Sequence, residues 1–238
     1  MKDSEILRPL EDAYYEALGH PKPSKPFGLK ERYRFHRAAS RMRPGSVLDV
    51  GTFYGDFLKS VLDADPDRVV FGTEINRTRR DLSNGRIGRR AVRIDFRNGA
   101  LETFEDRSVD NVVCLEVIEH LPDDGFAVRE LCRVARKRVL ISVPFNETLR
   151  EHLCIHCHRY TPENGHRRSY HHGSFQPLLP EGWVVREEVA FGHAVSRMLA
   201  SRMPDRAWAE RIIRVLDACL RRLSPAYNQW LFVVLDRG

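Results

Sequence analysis

The chain has 238 residues, 42% hydrophobic and 30% charged, the balance of a globular protein with one sizeable core and not of a disordered chain. Net charge is +6, from 39 basic and 33 acidic side chains; the basic residues are spread along the sequence, as on a solvated surface and unlike a concentrated nucleic-acid stripe. The longest apolar run, 230–235, is too short to cross a bilayer, and Met1-Lys2-Asp3-Ser4-Glu5 lacks the apolar core of a secretory signal, so a cytoplasmic location and no membrane partner are expected.

Residues 1–45 are expected to form an N-terminal helical cap. Leu10, Tyr14 and Leu18 fall at helical spacing, Pro21, Pro23 and Pro26 break the pattern, and a second patch over 29–42 carries Tyr33, Phe35, Ala38 and Ala39. From Ser46 the chain alternates strand and helix. Val47-Leu48-Asp49-Val50 is a buried strand that stops at Gly51 and restarts as a helix after Gly55. Strands follow at 68–73, 91–94, 111–115 and 138–143, with helices expected at 57–64, 77–84 and 123–136. Repeated units of this length imply a parallel sheet covered on both faces, with ligands beyond the carboxyl ends of its strands.

Those ends share a chemistry. Strand one runs into Gly51 and Gly55, strand two ends at Glu74, strand three at Asp95 and strand four at Glu116. Glycine permits turns and close approaches that a Cβ blocks, and the following helix presents free N–H groups. Glu74 lies about twenty residues past the loop, where an acid meets ribose hydroxyls in dinucleotide folds. A carboxylate accepts two hydrogen bonds from a diol, whereas a phosphate would call for lysine or arginine. A nucleoside ligand is expected.

On these residues, with Ser108-Val109-Asp110-Asn111-Val112-Val113 leading into Glu116-Val117-Ile118-Glu119-His120-Leu121-Pro122, the chain resembles class I S-adenosylmethionine-dependent methyltransferases over about residues 46–145. The resemblance implies a Rossmann-like, doubly wound α/β fold: a seven-stranded, mostly parallel sheet whose last strand is antiparallel. It implies that Asp49 anchors a cofactor loop of Gly51, Thr52, Phe53, Tyr54 and Gly55. Glu74, followed by Ile75, takes the ribose hydroxyls, Asp95 and Phe96 meet the adenine edge, and Glu116 faces the transfer centre. The family usually has a further glycine where this chain has Phe53, so Phe53 or Tyr54 is expected to close over the ligand.

His120, beside Glu119, is the candidate catalytic base, because imidazole titrates near neutral pH. The bland alternative has Ile118 and Leu121 packing the turn while His120 satisfies a carbonyl. In some relatives of the family, small-RNA 2′-O-methyltransferases and quinone-biosynthesis O-methyltransferases, positions matching Glu116, Glu119 and His120 ligate a divalent metal.

Five cysteines without a secretion signal argue against a disulfide framework. The 152–172 segment holds six of the ten histidines together with Cys154 and Cys157. Cys154, Cys157 and His166 have spacings that reach one tetrahedral zinc, with the fourth ligand open among His152, His158, His171 and His172. The alternatives are reduced cysteines in a mobile lid and a redox pair. Similar inserts in some methyltransferases of this group imply a specificity loop near the acceptor.

Further strands are expected at 183–191 and 228–235, the two that end the family's sheet. The methyltransferase domain then spans 46–192 and 226–238, with 193–225 a helical insertion. Its apolar stripe, Trp208, Ile212, Val215, Leu216, Cys219, Leu220 and Leu223, is expected to pack on its own domain, a dimer seam or acceptor wall being the alternatives. The expected function is methyl transfer to oxygen or nitrogen of a small-molecule acceptor, which the insertion's arginines allow to be anionic. An RNA methyltransferase of the metal-assisted 2′-O type and a non-catalytic module stand as alternatives, and the chain is expected to be a monomer or homodimer.

Overall fold

The structure, a computed structural model, describes residues 28–88, 92–93, 100–155, 158–204 and 206–238. The first apolar patch of the expected cap, Asp95, Phe96 and Cys157 lie outside the described residues. In chain order the elements are α1 (Leu29–Ala39), β1 (Val47–Val50), α2 (Asp56–Ala64), β2 (Val70–Thr73), α3 (Arg77–Arg86), β3 (Val92–Arg93) and β4 (Val109–Leu115). Then come α4 (Asp124–Val134), β5 (Ala135–Pro144), β6 (Glu151–Leu153), β7 (Tyr160–Pro162), β8 (Trp183–His193), α5 (Ala194–Ala200), α6 (Ala207–Leu223) and β9 (Asn228–Arg237).

The main sheet runs β3-β2-β1-β4-β5-β9-β8. Six of its strands are four residues or longer, and the expected third strand is a two-residue edge pairing. Strands β1 to β5 are parallel, while β9, the last in the chain, runs antiparallel to both β5 and β8. Side chains alternate between its faces, as the strand period of two requires. Leu48, Val112, Ile141 and Val233 enter one core with Ala127, Val128 and Leu131 of α4. Val47, Val113, Leu140 and Phe232 enter the other, with Tyr33 and Phe35 of α1 and Phe57, Leu58 and Val61 of α2. The second N-terminal patch is thus one layer of the domain.

Helix α6 is fixed by a polar contact. Asp217, fully buried, accepts from the Tyr33 hydroxyl at 2.7 Å, the His193 amide at 2.6 Å, the Ser196 hydroxyl at 2.6 Å and the Gly192 amide at 3.3 Å. It joins α6 to α1 and to the corner between β8 and α5. Burial pushes the Tyr33 phenol up to about 12, so it remains a donor. The inward face of α6 is therefore Ala209, Ile213 and Asp217. Trp208, Ile212, Val215 and Leu223 are exposed, which corrects the expectation that this stripe packs on its own domain.

Replacing a buried acceptor shared by four donors leaves some of them unsatisfied. Asp217→Asn is expected to lower unfolding free energy by about 3 kcal/mol, measured by urea denaturation; a change under about 1 kcal/mol would remove Asp217 as the tie.

Candidate functional site

The loop after β1 is built on left-handed backbone. Gly51 has φ 74°, Phe53 54° and Gly55 78°. Phe53 holds this conformation at a cost of about 1–2 kcal/mol for an L-residue. The Phe53 ring lies 4.2 Å from that of Tyr54 and 4.3 Å beneath the Arg79 guanidinium. Gly51 and Gly55 answer to close packing as well as to φ: a Cβ on Gly51 would fall 2.4 Å from Val117 Cγ2, and one on Gly55 2.4 Å from Ser83 Oγ.

Glu74 ties this loop to the end of β2. One carboxylate oxygen accepts from the Phe53 amide and the other from the Asn76 amide, both at 2.9 Å. Thr52, also buried, donates its amide to the Thr73 carbonyl at 2.8 Å, and Ile75 is half-buried beside Glu74. Asp49 is buried beneath the loop. Burial, the largest cause, pushes its carboxyl up to about 7.

The turn after β4 is the second half of the site. Glu116 is itself left-handed, with φ 57°. Its carboxylate accepts from the Ser142 hydroxyl at 2.8 Å and pairs with Arg34 at 3.3 Å. Glu119 is fully buried, and neither carboxylate oxygen has a hydrogen-bond partner among the described residues. Burial, then the charge of Glu116, raises its carboxyl well above the usual range. Burial, then neighbouring His166, lowers His120 to about 4.

His166 reaches this turn from the cysteine–histidine segment. Its ring centroid is 4.8 Å from that of His120, and its Nδ1 meets Glu147 Oε2 at 2.6 Å. Backbone docking holds it there: the Arg167 amide donates to Glu119 O at 2.8 Å, and Arg168 donates to the carbonyls of Leu121 and Pro122 at 2.7 and 2.9 Å. Among the described residues, one group of donors converges closely enough to hold a metal: Glu119, His120 and His166, with ligand atoms within 4.8 Å of one another. Two sequence expectations are rearranged here. His166 joins Glu119 and His120, while Glu116 stands outside the group in its contacts with Ser142 and Arg34. Cys154 is half-buried beside the exposed β6–β7 hairpin and belongs to no such group among the described residues.

A cavity of about 480 Å³ opens beyond the ends of β5 and β9, lined by Glu116, Glu147, His166, Arg197, Tyr227 and Trp230 among others. The Arg197 guanidinium lies 4.1 Å over the Trp230 ring and donates to Gln229. Burial lowers it to about 10. Arg197 is one of the insertion's arginines that the sequence allows to face an anionic acceptor, whereas Arg34 and Glu147 were not found by sequence reasoning. Glu147 lay within reach of it, because it follows the end of strand five as Glu116 follows strand four. Arg34 arrives from α1 and carries no local signal.

Residues 48–143 match the family described as Methyltransferase domain. No curated protein matches the sequence. Solved structures that it resembles include the Haloferax volcanii complex between the Trm112 methyltransferase activator and a methyltransferase, at 17% identity and TM-score 0.61, covering 94% of this chain and 96% of that one. An S-adenosylmethionine-dependent methyltransferase from Archaeoglobus fulgidus aligns at 18% identity and TM-score 0.58, covering 88% and 93%. Magnesium protoporphyrin IX methyltransferase from Synechocystis, with bound S-adenosylmethionine, aligns at 13% identity and TM-score 0.51, covering 88% and 78%.

The raised Asp49 carboxyl makes stability depend on pH with a definite sign. The folded chain keeps a proton that the unfolded chain loses above about pH 4, so between about 4 and about 7 stability falls as pH rises. Asp49→Asn is expected to make that decline shallower in urea denaturation across the same window. An unaltered slope would mean that Asp49 does not titrate there.

Proposed function

Residues 48–143 form a class I S-adenosylmethionine-dependent methyltransferase domain, and from that premise we propose that the protein transfers the methyl group to an oxygen or nitrogen of a small-molecule acceptor. The observation that carries the acceptor class is the cavity of about 480 Å³ bordered by Glu116, within the range of small-ligand sites. The Synechocystis structure, whose named substrate is magnesium protoporphyrin IX, accords with an acceptor of this kind.

The residues fit the cofactor. Glu74 is held by two backbone amides at the carboxyl edge of the sheet, and a carboxylate has about four acceptor sites, so ribose hydroxyls can add to these two contacts. The loop of Gly51, Thr52, Phe53, Tyr54 and Gly55, supported by Asp49, would carry the methionine end, with Asp95 and Phe96 assigned to adenine on sequence alone. When bound, S-adenosylmethionine supplies a methyl already activated on sulfonium, so the protein's part is alignment and proton removal. Glu116, clamped by Ser142 and Arg34, fixes the wall between cofactor and acceptor. The proton of an acceptor hydroxyl or amine passes to His166, which lines the cavity and is oriented by Glu147 at 2.6 Å. His120 stands behind it and positions the ring.

A second reading rests on one specific observation, the pair of unpartnered, fully buried Glu119 oxygens. Leaving a buried carboxyl unsatisfied is costly, and a divalent cation held by Glu119, His120 and His166 would satisfy it, with Glu147 orienting the His166 imidazole from behind. Its chemistry would be to polarise the acceptor oxygen. In this form the cation replaces the zinc assigned to Cys154, Cys157 and His166.

Two measurements test these assignments. S-adenosylhomocysteine is expected to bind in calorimetry, and Glu74→Gln to weaken it about tenfold, a loss of about 1.4 kcal/mol; no heat for the unaltered chain at millimolar ligand would overturn the cofactor assignment. With an acceptor in hand, turnover that survives EDTA and falls at least a hundredfold in His166→Gln identifies the base role. Turnover lost to EDTA and restored by manganese identifies the cation.

A further inference from the structure

Helix α6 carries an apolar stripe that the fold leaves in solvent. Trp208, Ile212, Val215, Cys219 and Leu223 recur at intervals of three and four and so share one face. Trp208 is 55% exposed, Ile212 50%, Val215 62% and Leu223 77%, and Cys219 is exposed too. The preceding helix α5 adds exposed Val195, Met198 and Leu199. Scattered exposed apolar residues need no explanation, but a continuous stripe with an indole at one end does.

The charges beside the stripe narrow what covers it. Arg211 and Arg222 are exposed along one flank, with Arg214 beyond them. Neither acid of α6 offsets them: Asp217 is buried and Glu210 pairs with Arg32 at 3.4 Å. The connection from α5 adds exposed Arg202 and Arg206. Two-fold pairing of α6 with itself in antiparallel fashion would set one arginine row against the other, a like-charge arrangement. Single-stranded nucleic acid needs a series of aromatic platforms, and this stripe has Trp208 alone. A straight apolar line flanked by arginines matches a helix lying in the headgroup zone of a bilayer, where guanidinium groups reach phosphate from flexible stems. No described helix is long and apolar enough to cross a membrane, so such a contact is with the surface.

We propose that α6, with the exposed face of α5, is a docking surface for an anionic membrane. The apolar stripe enters the interfacial zone, and Arg211 and Arg222 sit at the level of lipid phosphates. The placement is also suggestive for access, since Ala194 and Arg197 of α5 and Tyr227 just past α6 line the cavity described above. Vesicle binding is independent of the methyl-transfer reading and stands or falls without it.

The test uses the full chain with vesicles of phosphatidylcholine alone, or with about one third phosphatidylglycerol. Co-sedimentation is expected with the anionic vesicles only, with affinity falling about tenfold or more as salt rises from low to molar levels. Trp183 and Trp230 are buried, so a blue shift of tryptophan emission on binding reports Trp208. The double variant Ile212→Glu, Val215→Glu, at exposed positions, is expected to keep the melting temperature and lose binding. Arg211→Glu with Arg222→Glu is expected to do the same, although its apolar stripe is intact. No binding to anionic vesicles overturns the proposal. So does equal, salt-insensitive binding to both vesicle types. Concentration-dependent self-association abolished by the glutamate pair would instead assign the stripe to a second copy of the chain and overturn it too.

Discussion

The parallel hydrogen-bond register of β1 with its two neighbours sets the geometry of everything at the carboxyl edge. Val47 pairs with Val70 on one side and Asn111 on the other, and Val50 with Thr73 and Cys114. Three strands therefore end almost level, and the chain leaves them at Gly51, Glu74 and Glu116. A slip of one residue would turn every inward side chain to the opposite face, and both faces here are buried. The register is thus enforced by two hydrophobic cores at once, while the acids it aligns contribute little to enforcing it.

What the register aligns is then stiffened by polar contacts that cross between elements. Glu74 joins β2 to the loop after β1 through two backbone amides. Glu116 joins β4 to β5 through Ser142 and reaches α1 through Arg34. Arg167 and Arg168 fasten a segment from beyond β7 onto the turn after β4. Each contact holds a charged or hydrogen-bonding group in a partly desolvated place, where its field is strong. Burial is the largest cause of the raised carboxyls of Asp49 and Glu119 and of the lowered imidazole of His120, and such shifts gather at functional sites.

The same logic explains the odd orientation of α6. Its amphipathic pattern names an apolar face, yet the helix buries Ala209, Ile213 and Asp217. Small Ala209 allows close approach, and Asp217 collects four donors that would otherwise lie buried without an acceptor. Satisfying those groups outweighs covering the stripe of Trp208, Ile212, Val215 and Leu223, which stays exposed.

Much of this protein was legible in the sequence because its cause is local. Apolar runs with β-branched residues marked β1, β2, β4, β5, β8 and β9, turn glycines marked Gly51 and Gly55, and the acids Glu74 and Glu116 at two strand ends followed from the repeat of strand and helix. The resemblance to the methyltransferase family rested on those same residues. Tertiary structure alone decided which distant groups meet. His166 was assigned with Cys154 and Cys157 by spacing, but the docking of its segment on the turn after β4 sets it against His120 and Glu147. Arg34 reaches Glu116, and Arg197 the cavity, only because α1 and α5 pack where they do. Sequence spacing measures distance along the chain, whereas these contacts depend on how separate elements satisfy one another's buried polar groups, and no local pattern carries that.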